Sequence, residues 1–408
     1  MLQRAITPSL LAALGDTPVV TLVGGRQTGK STLVTSLAEH GHIAEYITLD
    51  DPTELAGARN DPVAFVDRFD GPVIFDEVQR APEIFRSIKA AVDRDRRPGR
   101  FLLTGSANVL FVPSVADALA GRMEVLTLWP FSAAELHGRP DKRLLDLLFG
   151  DDPTPPAAEL PLGELVSQLL TGGFPEVVAR DEDERRQAWF SNYLATIVER
   201  DVRAMSDIER LEQVPALLTA IATRSRGPLN KSGLSQDLGI PNSTIDRYLA
   251  LLERVFLIRR LAAWHNRLGP RLVKAPKLLV SDSGLFCRML RFDRQRLLED
   301  AAARGLALEA YVGMELVKAA ALAGADVLYY RTSKGTEIDF LVEADDGRIA
   351  AIEVKAAASV EARDFRRFEL LERTVGERFA RGVVLYAGGR VVPFGERLAA
   401  WPVSALWA

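Results

Sequence analysis

The chain has 408 residues, 51 lysines and arginines against 55 acids for a formal net charge of −4, and 48% hydrophobic residues. That hydrophobic share is ordinary for a globular protein and too high for a disordered one. The single cysteine, Cys287, excludes an internal disulfide framework, and with only four histidines it argues against Cys/His zinc chemistry. No run approaches the roughly 18 apolar residues of a membrane span. The short apolar stretch Leu10–Leu14 leads into a glycine-rich loop that a cleaved leader would disrupt. A cytoplasmic protein with no membrane partner is the expectation.

The mild net charge hides an asymmetry. Residues 222–300 carry 15 lysines and arginines against 7 acids, a net of +8, so the rest of the chain sums to −12. A whole-chain average therefore does not argue against a nucleic-acid partner.

From the N-terminus, apolar runs at Val19–Val23, Tyr46–Leu49, Pro72–Phe75, Arg100–Thr104 and Met123–Leu128 alternate with amphipathic stretches. Continuous apolar runs separated by helices predict a parallel α/β sheet, assigned here to residues 1–150. Between the first run and a helix from Ser31 to His40 stands Gly24-Gly25-Arg26-Gln27-Thr28-Gly29-Lys30-Ser31, followed by Thr32. This is G-x-x-x-x-G-K-[ST] in the strand-to-helix setting it needs. Glycines let the backbone curl its N–H groups around one anion, and the helix start adds partial positive charge. Lys30 is then the residue for the β- and γ-phosphates of ATP, and Ser31 the one for Mg²⁺.

The run Val73-Ile74-Phe75 ends in Asp76 and Glu77, at the strand edge where open α/β sheets bind ligands. Asp76 is expected to hold Mg²⁺ through water, and Glu77 to polarise the attacking water. The run Phe101–Leu103 ends in small polar residues. Ser106 is the first choice as γ-phosphate sensor and Asn108 the second, against a plain Gly-Ser turn. Arg122 is the candidate arginine finger, acting in cis or on a neighbouring subunit of a homo-oligomer, with Arg26, Arg80 and Arg86 competing.

A proline-rich linker opens at Asp151-Asp152-Pro153-Thr154-Pro155-Pro156 and is drawn over 151–161. Residues 162–221 read as helical, with one apolar face on Asp183–Met205. Residues 222–268 read as a helix-turn-helix with a wing. Ser232–Leu238 is the first helix, Gly239-Ile240-Pro241 the turn, and Asn242 or Ser243 the cap. The second helix buries Ile245, Leu249 and Leu252, and a wing strand covers Val255–Leu261. In DNA-binding proteins such a second helix enters the major groove. Here it offers Asn242, Ser243, Thr244, Asp246 and Arg247, with phosphate contacts from Arg224, Arg226, Arg254, Arg259, Arg260, Arg267 and Arg271. The competing reading is a module that only packs between domains.

Residues 269–408 return to mixed α/β, with strands near Asp326–Tyr330, Glu337–Val342, Ile349–Val354 and Gly382–Tyr386. A turn at Asp345-Asp346-Gly347 makes a hairpin of the middle two. Alternation sends Glu353 and Lys355 to one side, where Asp339 can meet them. Two carboxylates and a lysine suit Mg²⁺-dependent phosphodiester cleavage, with Asp339, Glu353 and a helical Glu315 as metal ligands and Lys355 supporting the attacking water. The alternatives are surface ion pairs or a catalytically silent fold.

Several stretches together resemble a prokaryotic family of AAA+ ATPases. They are GGRQTGKST at 24–32, FDEVQRAPE at 75–83, FLLTGSAN at 101–108, LAGRMEVLTLWPFSAAEL at 119–136, TGGFPEV at 171–177, YLATIVERDV at 193–202, and EIDFLVE with AIEVK near the end. The phosphate loop departs slightly, with Gly25 where such loops often have proline. The resemblance implies a P-loop NTPase parallel-sheet core, a helical and winged-helix region, and a small restriction-endonuclease-like α/β domain. Asp339, Glu353 and Lys355 resemble the PD-(D/E)XK nuclease pattern without its proline. ATP and Mg²⁺ are the implied cofactors. The expected function is an ATPase acting on DNA. The alternative is a nucleotide-dependent switch whose later domains bind a protein partner.

Overall fold

Val19–Val23 is buried at every position, as a strand covered on both faces requires. The computed structural model describes residues 2–106, 119–140, 144–151, 154–155, 158–203, 211–266, 274–332 and 335–407. Asn108, Arg267, Arg271 and part of the expected linker lie outside the described residues. The chain divides into two units, one formed by Gln3–Pro130 with Arg254–Phe256, the other by Phe131–Glu253 and Leu257–Ala408 together with Met1–Leu2.

In the first unit, β1 (Val19–Val23), β2 (Glu45–Thr48), β3 (Val73–Asp76), β4 (Phe101–Gly105) and β5 (Met123–Thr127) form one sheet in the order β2-β3-β4-β1-β5. Every pair is parallel. Principal helices are α1 (Thr7–Asp16), α2 (Lys30–Ser36), α3 (Pro52–Asn60), α4 (Pro62–Asp67) and α5 (Ile84–Arg94). Helix α3 starts where Asp51 accepts from the Thr53 and Glu54 amides, and Pro52 supplies the fixed φ of a first turn. Strand β1 sits between β4 and β5 although the chain goes from it to β2 at the far edge. The loop after β1 therefore leaves the sheet at a topological switch point, where such sheets take ligands.

In the second unit, α6 (Leu162–Thr171), α7 (Asp183–Thr196) and α8 (Val214–Thr223) precede α9 (Lys231–Leu238) and α10 (Asn242–Arg254). Helix α7 continues into a π-helical stretch, Ile197–Val202. The turn between α9 and α10 passes through Gly239 at φ 64°. Helix α10 buries Ile245, Leu249 and Leu252 as expected. It begins with Asn242, so neither Asn242 nor Ser243 precedes it as a cap. Of the stretch Val255–Leu261 expected as a strand, Ile258–Leu261 forms β6, which pairs antiparallel with an unexpected β7 (Lys277–Val280).

After α11 (Ser283–Met289), α12 (Ala301–Ala323) packs against a mixed sheet. Its strands are β8 (Asp326–Arg331), β9 (Glu337–Glu343), β10 (Ile349–Lys355), β11 (Phe379–Tyr386), β12 (Val392–Pro393) and β13 (Leu398–Pro402), in the order β12-β13-β11-β10-β9-β8. Helix α12 opens on Asp300, which accepts from the Ala302 and Ala303 amides, and closes on Gly324 at φ 67°. Most of its faces are buried, including Glu309, Glu315 and Lys318. Helix α13 (Arg366–Val375) covers the sheet with Phe368 and Leu371, in a core that holds Trp264, Ile338, Leu341 and Val384.

The segments read as helical, winged and nuclease-like thus lie in one unit except for Arg254–Phe256, and the N-terminal stretch of the first unit runs to Pro130 where 150 was expected. Within the second unit the Phe131 amide donates to the Gly173 carbonyl at 2.7 Å, and a Cβ on Gly173 would stand 2.1 Å from the Phe131 oxygen. The neighbouring Gly172 adopts φ 62° beside Asp282, a wholly buried carboxylate that accepts from the Gly173 amide at 2.7 Å. These contacts explain the two glycines of the 171–177 stretch as docking residues.

Candidate functional site: a phosphate loop and a separate carboxylate cluster

The loop from Gly24 to Gly29 leaves β1 and enters α2, which starts without a side-chain cap, so its first N–H groups have no intrahelical partner. A Cβ on Gly24 would lie 2.2 Å from the Leu128 carbonyl oxygen, so only glycine fits that cradle. Gly29 takes φ 93° and Gln27 φ 59°. Buried Lys30 donates to the Gly24 and Gly25 carbonyls, both at 2.9 Å, and Thr28 Oγ1 donates to Gly25 at 2.9 Å. Arg26 lies within this curl, and Thr32 follows it on α2. Arg4, unremarked in the sequence, braces the loop by donating to the Thr28 carbonyl at 2.8 Å and the Trp129 carbonyl at 2.6 Å.

Sequence reasoning placed Ser31 and Asp76 on one ion, and they are adjacent: Ser31 Oγ donates to Asp76 at 3.0 and 3.1 Å. Two more hydroxyls fix the carboxylate, Tyr46 Oη at 2.7 Å and Thr104 Oγ1. Burial and the Asp76 charge push the Tyr46 phenol well above its ordinary value, so it stays a donor. Glu77 follows in a left-handed conformation at φ 57°, its amide donating to Thr104 Oγ1 at 3.1 Å. Gln79 Nε2 joins Glu77 Oε2 to Ser106 Oγ, the latter at 2.9 Å. Lys30, Ser31, Asp76, Glu77 and Ser106 therefore share one edge of the sheet. The hydroxyl-lined carboxylate and Ser31 are a donor set suited to Mg²⁺.

Arg122 does not join them. It precedes β5, whose first residue Met123 pairs with Val19 at the opposite, N-terminal edge, and it bonds Asp93 at 2.6 Å. A role in cis at the phosphates is excluded by that position. Arg80 pairs with Asp50.

The second expected metal site is corrected. Glu315 bonds the Ala133 amide at 2.8 Å and Lys318 at 2.7 Å, away from Asp339. The helical acid beside Asp339 is Glu309, six residues earlier on α12. Between them lies Lys277, wholly buried, 2.7 Å from Glu309 Oε1, 3.4 Å from the Asp339 carbonyl and 4.6 Å over the Phe340 ring. Arg226 reaches the other Glu309 oxygen at 3.3 Å. Asp339, one step past the last paired residues Phe340 and Ile352, accepts from the Val354 amide at 2.9 Å. Burial and the neighbouring Asp339 charge push Glu309 up to about 7 and Glu353 up to about 9. Arg367 holds Glu353 at 3.0 Å. Lys355 pairs with Asp364 instead of facing the carboxylates. Among the described residues no three acidic, histidine or cysteine side chains are disposed to hold a metal ion.

Much of the basic middle is engaged internally. Arg224 pairs with Asp237, Lys231 with Asp246, Arg260 with Glu253, and Arg294 with Asp183. Asn242, Ser243, Asp246 and Arg247 form the exposed face of α10. Among the described residues no helix is long and apolar enough to cross a membrane.

Residues 16–137 match the family model described as an AAA domain. The unit carrying the phosphate loop is thus of the AAA type, a P-loop nucleotide-binding fold. Residues 163–296 and 304–406 match two models each described as a domain of unknown function, DUF8612 and DUF4143. An uncharacterised protein of Mycobacterium tuberculosis is 28% identical over 99% of this chain and 84% of its own length. Among solved structures, a Walker-type ATPase of Pyrococcus abyssi is similar over 71% of this chain and 96% of that one, at 14% identity and a TM-score of 0.45. The Thermotoga maritima RuvB Holliday junction branch migration motor is similar over 71% and 93%, at 18% identity and a TM-score of 0.31.

Proposed function

We propose that this protein is a Mg²⁺-dependent ATPase that works as a nucleotide-driven switch, with its later domains binding a partner protein rather than cutting nucleic acid. The observation that carries the ATPase reading is the contact of Ser31 with Asp76 beside a loop that buries Lys30. Ser31 and Asp76 would hold Mg²⁺, which when bound neutralises phosphate charge. Lys30 and the loop amides orient the β- and γ-phosphates, Glu77 accepts a proton from water, and Ser106 contacts the terminal phosphate.

The observation favouring a switch over a nuclease is Lys277. Its ammonium pairs with Glu309 and reaches the Asp339 backbone carbonyl, so the helical acid is neutralised by a cation of the chain itself, where cleavage chemistry would use it for a divalent ion. Lys355, drawn to Asp364, is turned from the role of supporting a nucleophile. The internal pairing of the basic middle leaves Arg247 as the strong base-reading side chain on the exposed face of the winged-helix element, which supports docking over sequence readout.

The test is ATP hydrolysis with and without single-stranded, duplex and branched DNA, with a gel of the same Mg²⁺ or Mn²⁺ reactions. Hydrolysis lost in Asp76→Asn, with no cleavage product, is expected. Cleavage that disappears in Asp339→Ala would replace the switch with a nuclease. Absence of hydrolysis would remove the ATPase reading.

A further inference from the structure

Helices α7, α8 and α11 of the second unit leave between them a cleft of about 370 Å³ that has no role in the reading above. Both α7 and α8 pack on α11. Toward the cleft α7 carries Ser191, Leu194, Ala195, Val198 and Glu199, at i, i+3, i+4, i+7 and i+8, which is one helical stripe. Val198 and Glu199 belong to the π-helical stretch Ile197–Val202, a rare form that recurs at functional sites. Helix α8 adds Pro215, Leu218 and Thr219 at i, i+3 and i+4. Val198, Leu218 and Met289 are the buried apolar part of the lining.

The end of α11 supplies charge. Arg288 is half-buried and Arg291 exposed, and both line the cleft. The Arg291 amide donates to the Arg288 carbonyl at 3.2 Å, in a turn where Arg291 takes the left-handed φ of 55°. Arg224, Arg260 and Arg294 of the same unit are held by acids, whereas neither cleft guanidinium has a partner among the described residues. Glu199, the acid of the lining, already pairs with Arg203 at 2.8 Å. Ser191 Oγ donates to the Gln187 carbonyl at 2.7 Å and Thr219 Oγ1 to the Pro215 carbonyl at 3.1 Å, so the hydroxyl protons are engaged. The side-chain donors left for a ligand are the two guanidiniums, which call for an anionic acceptor.

We infer that this cleft binds an amphipathic carboxylate, its apolar chain between α7 and α8 and its charged end on Arg288 and Arg291. The volume falls at the small end of ligand pockets, roughly 300–1,000 Å³, which are mostly apolar with a few placed polar groups. A guanidinium fork matches the two oxygens of a carboxylate, and that pairing offsets the cost of bringing its charge against an apolar wall. The site belongs to the unit without the phosphate loop, so it stands whether or not ATP is hydrolysed.

Calorimetric titration of the full chain with octanoate tests the site, with octanol as the same chain lacking the charge. Saturable one-to-one binding of octanoate is expected, with octanol weaker by roughly tenfold or more. The double variant Arg288→Gln/Arg291→Gln should weaken octanoate by roughly tenfold or more and leave octanol within about twofold of wild type. Ala195→Phe, at an exposed position of the lining, should abolish binding of both by filling the cleft. Circular dichroism shows whether each variant is folded, and either one carries the test if the other is not. No saturable binding by wild type, equal affinity for octanol, or octanoate binding unmoved by a folded variant would overturn the site. A helical leucine–glutamate peptide that binds where octanoate does not would overturn it in favour of a protein-docking groove.

Discussion

Replacing Lys277 by methionine keeps most of its volume and removes the ammonium 2.7 Å from Glu309. Proton linkage sets the size of the effect. Burial and the Asp339 charge raise Glu309 from 4.5 to about 7 even with Lys277 beside it. A carboxyl raised on folding opposes folding when ionised. Stability is therefore full below the unfolded value and falls as pH climbs toward about 7, where the wild-type group ionises and the loss stops. Without the ammonium the group stays protonated to higher pH, and the loss continues at about 1.4 kcal/mol per pH unit. At pH 6 the variant should lack only packing and the contact with Phe340, about 1 kcal/mol. By pH 8.5 the gap should reach about 3 kcal/mol, the lower end for breaking a buried pair. Urea unfolding followed by the fluorescence of buried Trp264 and Trp401 reads this directly. A gap that is the same at both pH values would refute the reasoning. Introduced into a Glu309→Gln background, Lys277→Met should open a gap to that background that does not change with pH.

Gly173→Ala would bring a Cβ to 2.1 Å from the Phe131 carbonyl, a backbone atom that cannot swing aside. A loss of several kcal/mol or failure to fold is expected, on the order of other overpacked sites, and thermal melting checks it. Arg4→Ala removes donors to the Thr28 and Trp129 carbonyls and should weaken ATP binding roughly tenfold, by loosening the loop. Titration with a fluorescent ATP analogue would contradict this if affinity is unchanged. Glu353→Gln should raise stability above about pH 7. Its carboxyl, pushed up to about 9 by burial and Asp339, otherwise loses stability as pH rises to that value. Melting at pH 6 and 9 measures the difference.

The phosphate loop was legible because its chemistry is local: nine consecutive residues, one strand before and one helix after. Asp76 and Glu77 followed because a buried strand must deliver its last side chains to one edge. Its supporting contacts were not legible. Arg4, Tyr46, Thr104 and Gln79 come from four separate segments, and strand order alone brings them together. The helical acid was misassigned for a related reason. Glu309 and Glu315 lie six residues apart on α12, about 120° around the helix at 100° per residue. One faces Asp339 and the other Lys318, and the sequence carries no mark of which face meets β9. Lys277 escaped notice because β7 is only four residues long and follows residues with no strand pattern.

The central claim is that residues 24–32 with Asp76 form a working Mg²⁺-ATP site. Calorimetric titration of ATP into wild type and Lys30→Ala, each with and without Mg²⁺, tests it most directly. The account predicts saturable binding by wild type that strengthens with Mg²⁺, and no measurable binding by the variant. Equal binding by both proteins, or none by wild type, would contradict it.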